Sequence, residues 1–447
     1  MSLELLSRYA GNVPRYTSYP TAPHFTDSVG PDVYAGWLAA LGGADRLSLY
    51  IHIPYCDRLC WFCACHTKHT LKYAPVASYL EALHAEIATV GGLVSRDARV
   101  SAIHLGGGSP TLLAPGDMRA LKAALADAFV LDEGVEISVE MDPNDLDEPR
   151  YDALADIGMT RASLGVQDFE PRVQQAINRI QTFGQTRAVV EAVRARGVRS
   201  VNCDIVYGLQ HQTLETLENT VRDIVSLAPD RVALFGYAHV PWMKKHQQLI
   251  PETSLPDGPM RFRLMERAAE MLAEAGLVAI GIDHFARPDD SLARAAAGGR
   301  LRRNFQGYTD DQATAIVGLG ASSIGGLSEG YVQNIPATGI YEKTVLAGKL
   351  AAVRGFALDG EDRMRAWVIE RIMCDFGFEA DELAQRFGHR SAAILAEAQA
   401  AAGNDSMLRF EDGRFQIRAA ARPFARSIAA RFDAYLGAGG ARHSAAV

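Results

Sequence analysis

Six runs of apolar and β-branched residues, each followed by a stretch of helical pattern, limit what this chain can fold into. The runs are LSLYIHI (47–53), VSAIHLGGG (100–108), VEISVEMDP (135–143), RASLGVQDF (161–169), SVNCDIVYG (200–208) and RVALFGYAH (231–239). Helical patterns lie between them, over 76–94, 115–129, 186–196 and 214–227. Strand and helix alternating at this spacing is the signature of parallel βα units. Six steps are fewer than the eight that close a TIM barrel, so a partial barrel and an open doubly wound sheet both satisfy the count. Glu140, Asp142, Gln167, Asp204 and Gly208 fall at or just beyond the ends of the runs. Barrel-type folds assemble their active sites there, which favours an α/β fold built on a partial (βα)6 TIM-like barrel. Taken singly, each of these residues reads equally well as a turn or cap residue.

Past the sixth unit the pattern changes. Residues 261–275 form one more amphipathic helix, VAIGIDHFARPDD (278–290) a strand running into a loop, and AIVGLGASSIGG (315–326) a Gly-rich turn. From about Asp359 the chain is helix-rich, with helices expected over 381–386, 392–402 and 421–436. FEDGRFQI (410–417) is a hairpin with Asp-Gly at its turn. Helix, helix, hairpin, helix resembles a winged-helix arrangement. Charge argues against a nucleic-acid role, because 45 Lys+Arg stand against 53 Asp+Glu for a net −8, and no dense basic stripe is present. The expectation is a smaller, mostly helical C-terminal domain that packs on the barrel or closes it. The boundaries expected are 1–44 for an N-terminal segment, 45–340 for the barrel with its extension, 341–436 for the C-terminal domain, and 437–447 (GAGGARHSAAV) for a disordered tail. The start of the chain, MSLELLSRYAGNVPRYTSYP, shows no basic region followed by an apolar one. No run approaches the roughly 18 apolar residues of a membrane span. A cytoplasmic protein without membrane insertion is expected.

The cysteines carry the chemistry. YCDRLCWFCACHT (55–67) places Cys56, Cys60, Cys63 and Cys65 within ten residues, although the chain holds six cysteines in all. In the cytoplasm such clusters bind metal or do redox work more often than they form disulfides. Zinc sites usually pair two hooks a dozen or more residues apart, and no second hook exists here. A c-type haem site needs His directly after C-x2-C, and Ala64 stands there. A [4Fe–4S] cluster has irons far enough apart for one wrapped loop to supply three thiolates. Cys203 and Cys374 read as core thiols.

Cys56-x3-Cys60-x2-Cys63 after a first barrel strand, with the aromatic Phe62 before the third cysteine, resembles the radical S-adenosylmethionine (SAM) superfamily. PRYTSYPTA (14–22), SLYIHIPYC (48–56), HLGGGSPT (104–111), VEMDP (139–143), LGVQDF (164–169), NCDIVYGL (202–209), FGYAHVP (235–241), DHFARPDD (283–290) and NFQGYT (304–309) extend the likeness. Together they resemble the oxygen-independent coproporphyrinogen III oxidases, or coproporphyrinogen dehydrogenases, from about Val13 into the C-terminal domain. PRYTSYPTA and Cys65 discriminate most: the haem-chaperone-like relatives lack that segment and usually carry phenylalanine in place of Cys65.

The resemblance implies one [4Fe–4S] cluster held by Cys56, Cys60 and Cys63, with SAM on the remaining iron, and an N-terminal segment that contributes to the active site. One electron from the cluster would cleave the sulfonium of SAM, and the resulting 5′-deoxyadenosyl radical would take a hydrogen from a substrate propionate. Loss of CO2 and one electron, twice over, would turn coproporphyrinogen III into protoporphyrinogen IX. Two SAM molecules are implied. Tyr50, Gly107, Glu140 and Ile324 correspond to contacts with the cluster-bound one, and Phe62, Gly108, Ser109, Gln167, Arg179, Asp204 and Ala238 to contacts with the second. Ser109 departs from the family, which carries threonine there. GGGSPT is no dinucleotide fingerprint, since Thr111 takes the place of the third glycine and Pro110 interrupts the turn. Cys65 is implied as required for catalysis without binding iron. For the carboxylates of the tetrapyrrole the basic candidates are scattered: Arg15, Lys244, Lys245, Arg287, Arg302 and Arg303, with Arg15 first for its place in PRYTSYP. A low-potential electron donor and an electron acceptor are required, neither visible in the sequence, and a monomer is expected. A tetrapyrrole radical SAM methyltransferase, a haem chaperone on the same scaffold and a structural zinc protein are the alternatives.

Overall fold

The computed structural model describes residues 3–144 and 146–437. The tail expected to be disordered lies, from residue 438 on, outside the described residues. Strands β1 (Arg46–Ile53), β2 (Arg99–Gly107), β3 (Val130–Met141), β4 (Arg161–Gln167), β5 (Ser200–Tyr207) and β6 (Arg231–Gly236) pair in chain order, each parallel to the next. Among the helices between and after them are α1 (Ala74–Gly91), α2 (Pro115–Ala128), α3 (Glu148–Asp156), α4 (Phe183–Ala195), α5 (Leu214–Ser226) and α6 (Gly258–Glu274).

Strands buried on both faces are written as near-continuous apolar runs. In β1 only Arg46 is exposed, and Leu47, Leu49, Ile51 and Ile53 are fully buried. The helices bury one stripe each. In α5, Leu217, Val221 and Ile224 recur at helical spacing and lie inside, worth roughly 1.5–3 kcal/mol per side chain. Its start is set by a capping box, Thr213 Oγ1 accepting from the Thr216 N–H and Thr216 Oγ1 from the Thr213 N–H.

AIVGLGASSIGG, expected as a Gly-rich turn, is instead two strands. β7 (Ala315–Leu319) runs parallel to β1 on its free side, and Ile324–Leu327 returns antiparallel. The glycines that suggest a loop allow close packing: a Cβ on Gly318 would lie 2.9 Å from the Ile324 backbone. Gly330–Asn334 and Ala352–Ala357 continue this edge antiparallel. His284–Ala286 and Val278–Ile280 finish the other, where one strand and a loop were expected. Among the described residues the result is one twelve-stranded sheet whose end strands do not pair, a partial barrel.

The C-terminal part centres on α7 (Gly360–Asp375) and a three-stranded sheet of Gly377–Glu379, Arg414–Ile417 and Leu408–Glu411. Asp412 and Gly413 turn its hairpin with φ of 51° and 75°, as a two-residue turn requires. The continuous helix expected over 421–436 is broken into a 3-10 turn (Ala419–Phe424), a short α-helix (Ala425–Ala429) and a second turn (Ala430–Phe432). Pro423, inside the first turn, has no N–H to continue a helix. The apolar core here includes Leu5, Leu6, Tyr9, Val13, Tyr16 and Tyr19, so the start of the chain packs with the C-terminal domain. Among the described residues, no helix is long and apolar enough to cross a membrane.

Candidate active site

The cysteine loop leaves the carboxyl end of β1. Its entry is fixed by the backbone: Gly108 N–H donates to Ile53 O and Ser109 N–H to Tyr55 O, both at 2.8 Å. A Cβ on Gly108 would lie 2.5 Å from Tyr55 O, so the missing side chain makes room for the loop itself. Ser109 is buried with Oγ 3.1 Å from Thr111 Oγ1.

The thiols of Cys56, Cys60 and Cys63 lie within electrostatic reach of one another. Burial, then the charges of Cys63 and Cys60, push Cys56 up; burial pushes Cys60 up. Cys60 also has a cation beside it, with Arg179 Nη1 donating to its sulfur at 3.6 Å. The Cys65 thiol, hydrogen-bonded to Cys63, draws Cys63 down to about 7, and Cys65 N–H points at the same sulfur from 3.4 Å. Among the described residues, no three Cys, His, Asp or Glu side chains are close enough to hold a single metal ion. The donor set, three thiols on one loop without a second hook, fits a multi-iron cluster better than one tetrahedral zinc. Cys203 and Cys374 are buried core thiols.

Arg179, which in sequence reads equally as a surface cap, is interior. Its Nη1 pairs with Asp142 at 3.0 Å and Nη2 donates to Gly165 O at 2.6 Å. Gln167, with φ of +68°, ends β4 two residues beyond Gly165. Asp204 pairs with Gly165 in register and therefore sits inside β5, not at its end as the sequence suggested. Burial raises the Asp204 carboxyl to about 6, although it accepts from Asn202 Nδ2 at 2.7 Å.

Tyr50, Glu140 and Ile324 line one cavity of about 170 Å³, and Gly107 N–H reaches Glu140 Oε2 at 2.8 Å. His104 Nε2 lies 3.2 Å from Glu140 Oε1. Burial alone would raise the Glu140 carboxyl; His104, the Gly107 N–H and His52 overcome it and hold it below the usual range. Tyr50 hydroxyl and His52 Nδ1 are 2.9 Å apart, and burial lowers His52 to about 4, so it is neutral near pH 7. Gly107 has φ of +109°, and a Cβ there would strike the His52 ring. Glu140 and Asp204 together line a neighbouring cavity, which places Glu140 between the two.

A loop after β6 grips the cysteine loop through its backbone. Lys244 Nζ donates to Cys65 O at 2.8 Å, His246 Nε2 lies 2.7 Å from Cys63 O, and Gln247 Nε2 donates to both Phe62 O and Ala238 O, at 2.8 and 3.2 Å. Sequence reading missed His246 and Gln247 because contacts to carbonyl oxygens leave no motif. Among the basic candidates, Arg287 pairs with Asp289 and Arg302 with Glu370, Lys245 is exposed, and Arg15 and Arg303 line one cavity with Ala238.

Residues 50–224 match the Radical SAM superfamily and residues 358–424 the HemN C-terminal domain. The superfamily match implies a [4Fe–4S] cluster and SAM. The chain is 48% identical to the oxygen-independent coproporphyrinogen III oxidase of Paracoccus denitrificans over 100% of its own length and 99% of that protein's. It is 46% identical to that of Bradyrhizobium diazoefficiens over 97% of each chain. The solved structure described as coproporphyrinogen III oxidase (HemN) from Escherichia coli, a radical SAM enzyme, superposes with a TM-score of 0.90 at 34% identity, covering 95% of this chain and 100% of that one. Both the barrel with its cysteine loop and the C-terminal domain are accounted for, and the chain belongs to the oxygen-independent coproporphyrinogen III oxidase family of radical SAM enzymes.

Proposed function

We propose that this protein oxidatively decarboxylates two propionates of coproporphyrinogen III to vinyl groups, giving protoporphyrinogen IX in anaerobic haem biosynthesis in the cytoplasm. The observation that carries the reading is the likeness at 48% identity over 100% of this chain, a span that runs from the N-terminal segment through the C-terminal domain. Bound at the loop, a [4Fe–4S] cluster with SAM supplies one-electron reduction and removal of hydrogen from an unactivated C–H bond, which no side-chain base can achieve.

Cys56, Cys60 and Cys63 would hold three irons, leaving the fourth to SAM. Cys65, hydrogen-bonded to Cys63, would act in turnover without binding iron. Tyr50, Gly107, Glu140 and Ile324 would hold the cluster-bound SAM, with Glu140 kept ionised for its amino or hydroxyl groups. Phe62, Gly108, Ser109, Gln167, Arg179, Asp204 and Ala238 would hold a second SAM. The position of Glu140 on both cavities supports two ligands side by side. Arg15 would face the tetrapyrrole from an N-terminal segment, 1–44, completed by the barrel expected over 45–340, whose sheet also takes in Ala352–Ala357, and by the C-terminal domain that follows within 341–436. The enzyme would work as a monomer, with a low-potential electron donor and a separate electron acceptor.

The test is anaerobic incubation of reconstituted, reduced protein with SAM and coproporphyrinogen III, followed by mass analysis. Loss of two CO2 with formation of 5′-deoxyadenosine is expected. S-adenosylhomocysteine in its place would mean a methyltransferase, and stable haem binding without decarboxylation a haem chaperone.

A further inference from the structure

Four arginines from four separate stretches of chain line one cavity of about 150 Å³ next to Ala238. Arg15 belongs to the N-terminal segment, Arg261 to the first turn of α6, Arg303 to the short strand Arg302–Asn304 and Arg426 to the helix Ala425–Ala429. Among the described residues, the lining holds a single carboxylate, Asp283, and its Oδ1 is already 2.7 Å from His284 Nδ1. The cavity is therefore strongly cationic. Phe305 and Gln306 line both it and the cavity of Tyr50, Glu140 and Ile324, so the two adjoin.

Part of this basic cluster holds the fold together. Arg426 Nε donates to Pro14 O at 2.7 Å and its Nη2 to Val13 O, while Arg261 Nη2 donates to Tyr237 O at 2.9 Å. Other donors are unmatched. Arg303 Nε and Nη1 and Arg261 Nε are buried with no hydrogen-bond partner among the described residues, a costly state for guanidinium groups. Arg303 lies over the Tyr308 ring at 4.4 Å, which fixes its plane and leaves its edge to a ligand. Burial, followed by repulsion from Arg15 and Arg303, draws Arg426 down to about 9, the direction expected of cations gathered without enough counter-charge.

We propose that this cavity anchors carboxylates of the tetrapyrrole, those of propionates away from the reacting one, with Arg303 and Arg261 as the principal contacts and Arg15 and Arg426 closing the site. The inference rests on the decarboxylase reading above. It gives the C-terminal domain a direct part in substrate recognition, since Arg426 reaches the cavity from there and holds the backbone beside Arg15. Planar guanidinium forks match carboxylates two bonds at a time, and a molecule with four carboxylates has anions to spare for such a site.

The experiment measures binding of coproporphyrin III, a stable analogue with the same four carboxylates, by fluorescence. It compares wild type with Arg303→Gln, Arg303→Lys, Arg261→Gln and, as a control outside the cavity, Arg287→Gln. SAM affinity and iron content are measured on each protein. Expected are a rise in porphyrin Kd of about 10- to 100-fold for the two glutamine variants, a smaller rise for Arg303→Lys, and wild-type SAM affinity and iron throughout. Unchanged porphyrin affinity in variants that retain their iron would overturn the proposal. So would an equal loss of SAM affinity, since the cavity would then serve the carboxylate of SAM. Wild type that binds the porphyrin in this cavity without decarboxylating coproporphyrinogen would sink the functional reading and leave the site standing. Wild type that decarboxylates while the variants bind normally would do the reverse.

Discussion

The side-chain amide of Gln247 donates to the carbonyl oxygen of Phe62 at 2.8 Å, a tie across 185 residues of chain. Gln247 is fully buried, and its oxygen accepts from Val240 N–H at 2.6 Å. Replacing it with leucine would leave the buried Val240 N–H unpaired, at about 1–3 kcal/mol, and the half-buried Phe62 carbonyl without this donor at a smaller cost. Gln247→Leu is predicted to melt at a lower temperature and to lose iron and sulfide during anaerobic gel filtration. Wild-type iron retention would show that the cysteine loop holds its shape without this tie.

Cys60 and Cys65 should separate two roles. Cys60→Ala removes a buried thiol beside Arg179 and is expected to abolish both the cluster absorbance and SAM cleavage. Cys65→Ser keeps a hydroxyl near Cys63 and should retain iron while losing at least tenfold in turnover, a barrier change of about 1.4 kcal/mol. If iron content collapses in Cys65→Ser, Cys65 is itself a ligand.

How much of this was legible in the sequence depended on whether the information was local. The parallel strands could be read because burial on both faces writes an uninterrupted apolar run, as in LSLYIHI. β7 was hidden by Gly318, which the structure uses for close approach of backbone, and by Gly320, which opens the turn between β7 and the returning strand with φ of +97°. The cysteine loop, Glu140 and Asp142 stand in short motifs at strand ends and could be read, whereas Asp204 lies inside β5, because the extent of a strand is set by its neighbours and not by its own residues. Gln247 and His246 act on carbonyl oxygens, which every residue has, so no spacing marks them. Arg261 and Arg426 are unremarkable helix residues until folding brings them to Arg15 and Arg303, and charge counting along the chain could not group them.

Glu86 gives the fold a pH dependence of its own. It lies on the buried face of α1 and accepts from Gly320 N–H, Tyr341 hydroxyl and Asn334 Nδ2, each at 2.6 Å. Burial outweighs these bonds and raises its carboxyl to about 7. Between the unfolded value, about 4.3, and 7 the folded state holds more of the proton, so stability falls as pH rises through that window and levels off above it. The loss amounts to roughly 4 kcal/mol at most. Relative to Glu86→Gln, wild type should therefore lose melting temperature between pH 5 and 7.5. Parallel pH profiles of the two proteins would refute this account.

Asp405 links the start of the chain to its end. It is buried, accepts from Tyr9 hydroxyl at 2.8 Å, and pairs with Arg8 at 2.9 Å and Arg431 at 2.6 Å. Both arginines are 36% exposed and can turn to water when the carboxylate is removed. The cost of Asp405→Ala is then about 2 kcal/mol, below the 3–5 of a broken, fully buried pair. The consequence should be local: Leu3–Tyr9 loosens from the C-terminal core, and with it Val13 and Pro14, whose carbonyls Arg426 holds, next to Arg15. Asp405→Ala is predicted to expose the first residues to limited proteolysis and to raise KM for the tetrapyrrole several-fold at unchanged iron content and SAM affinity. A variant whose N-terminus is cleaved readily while KM stays at the wild-type value would show that Arg15 takes no part in holding the substrate.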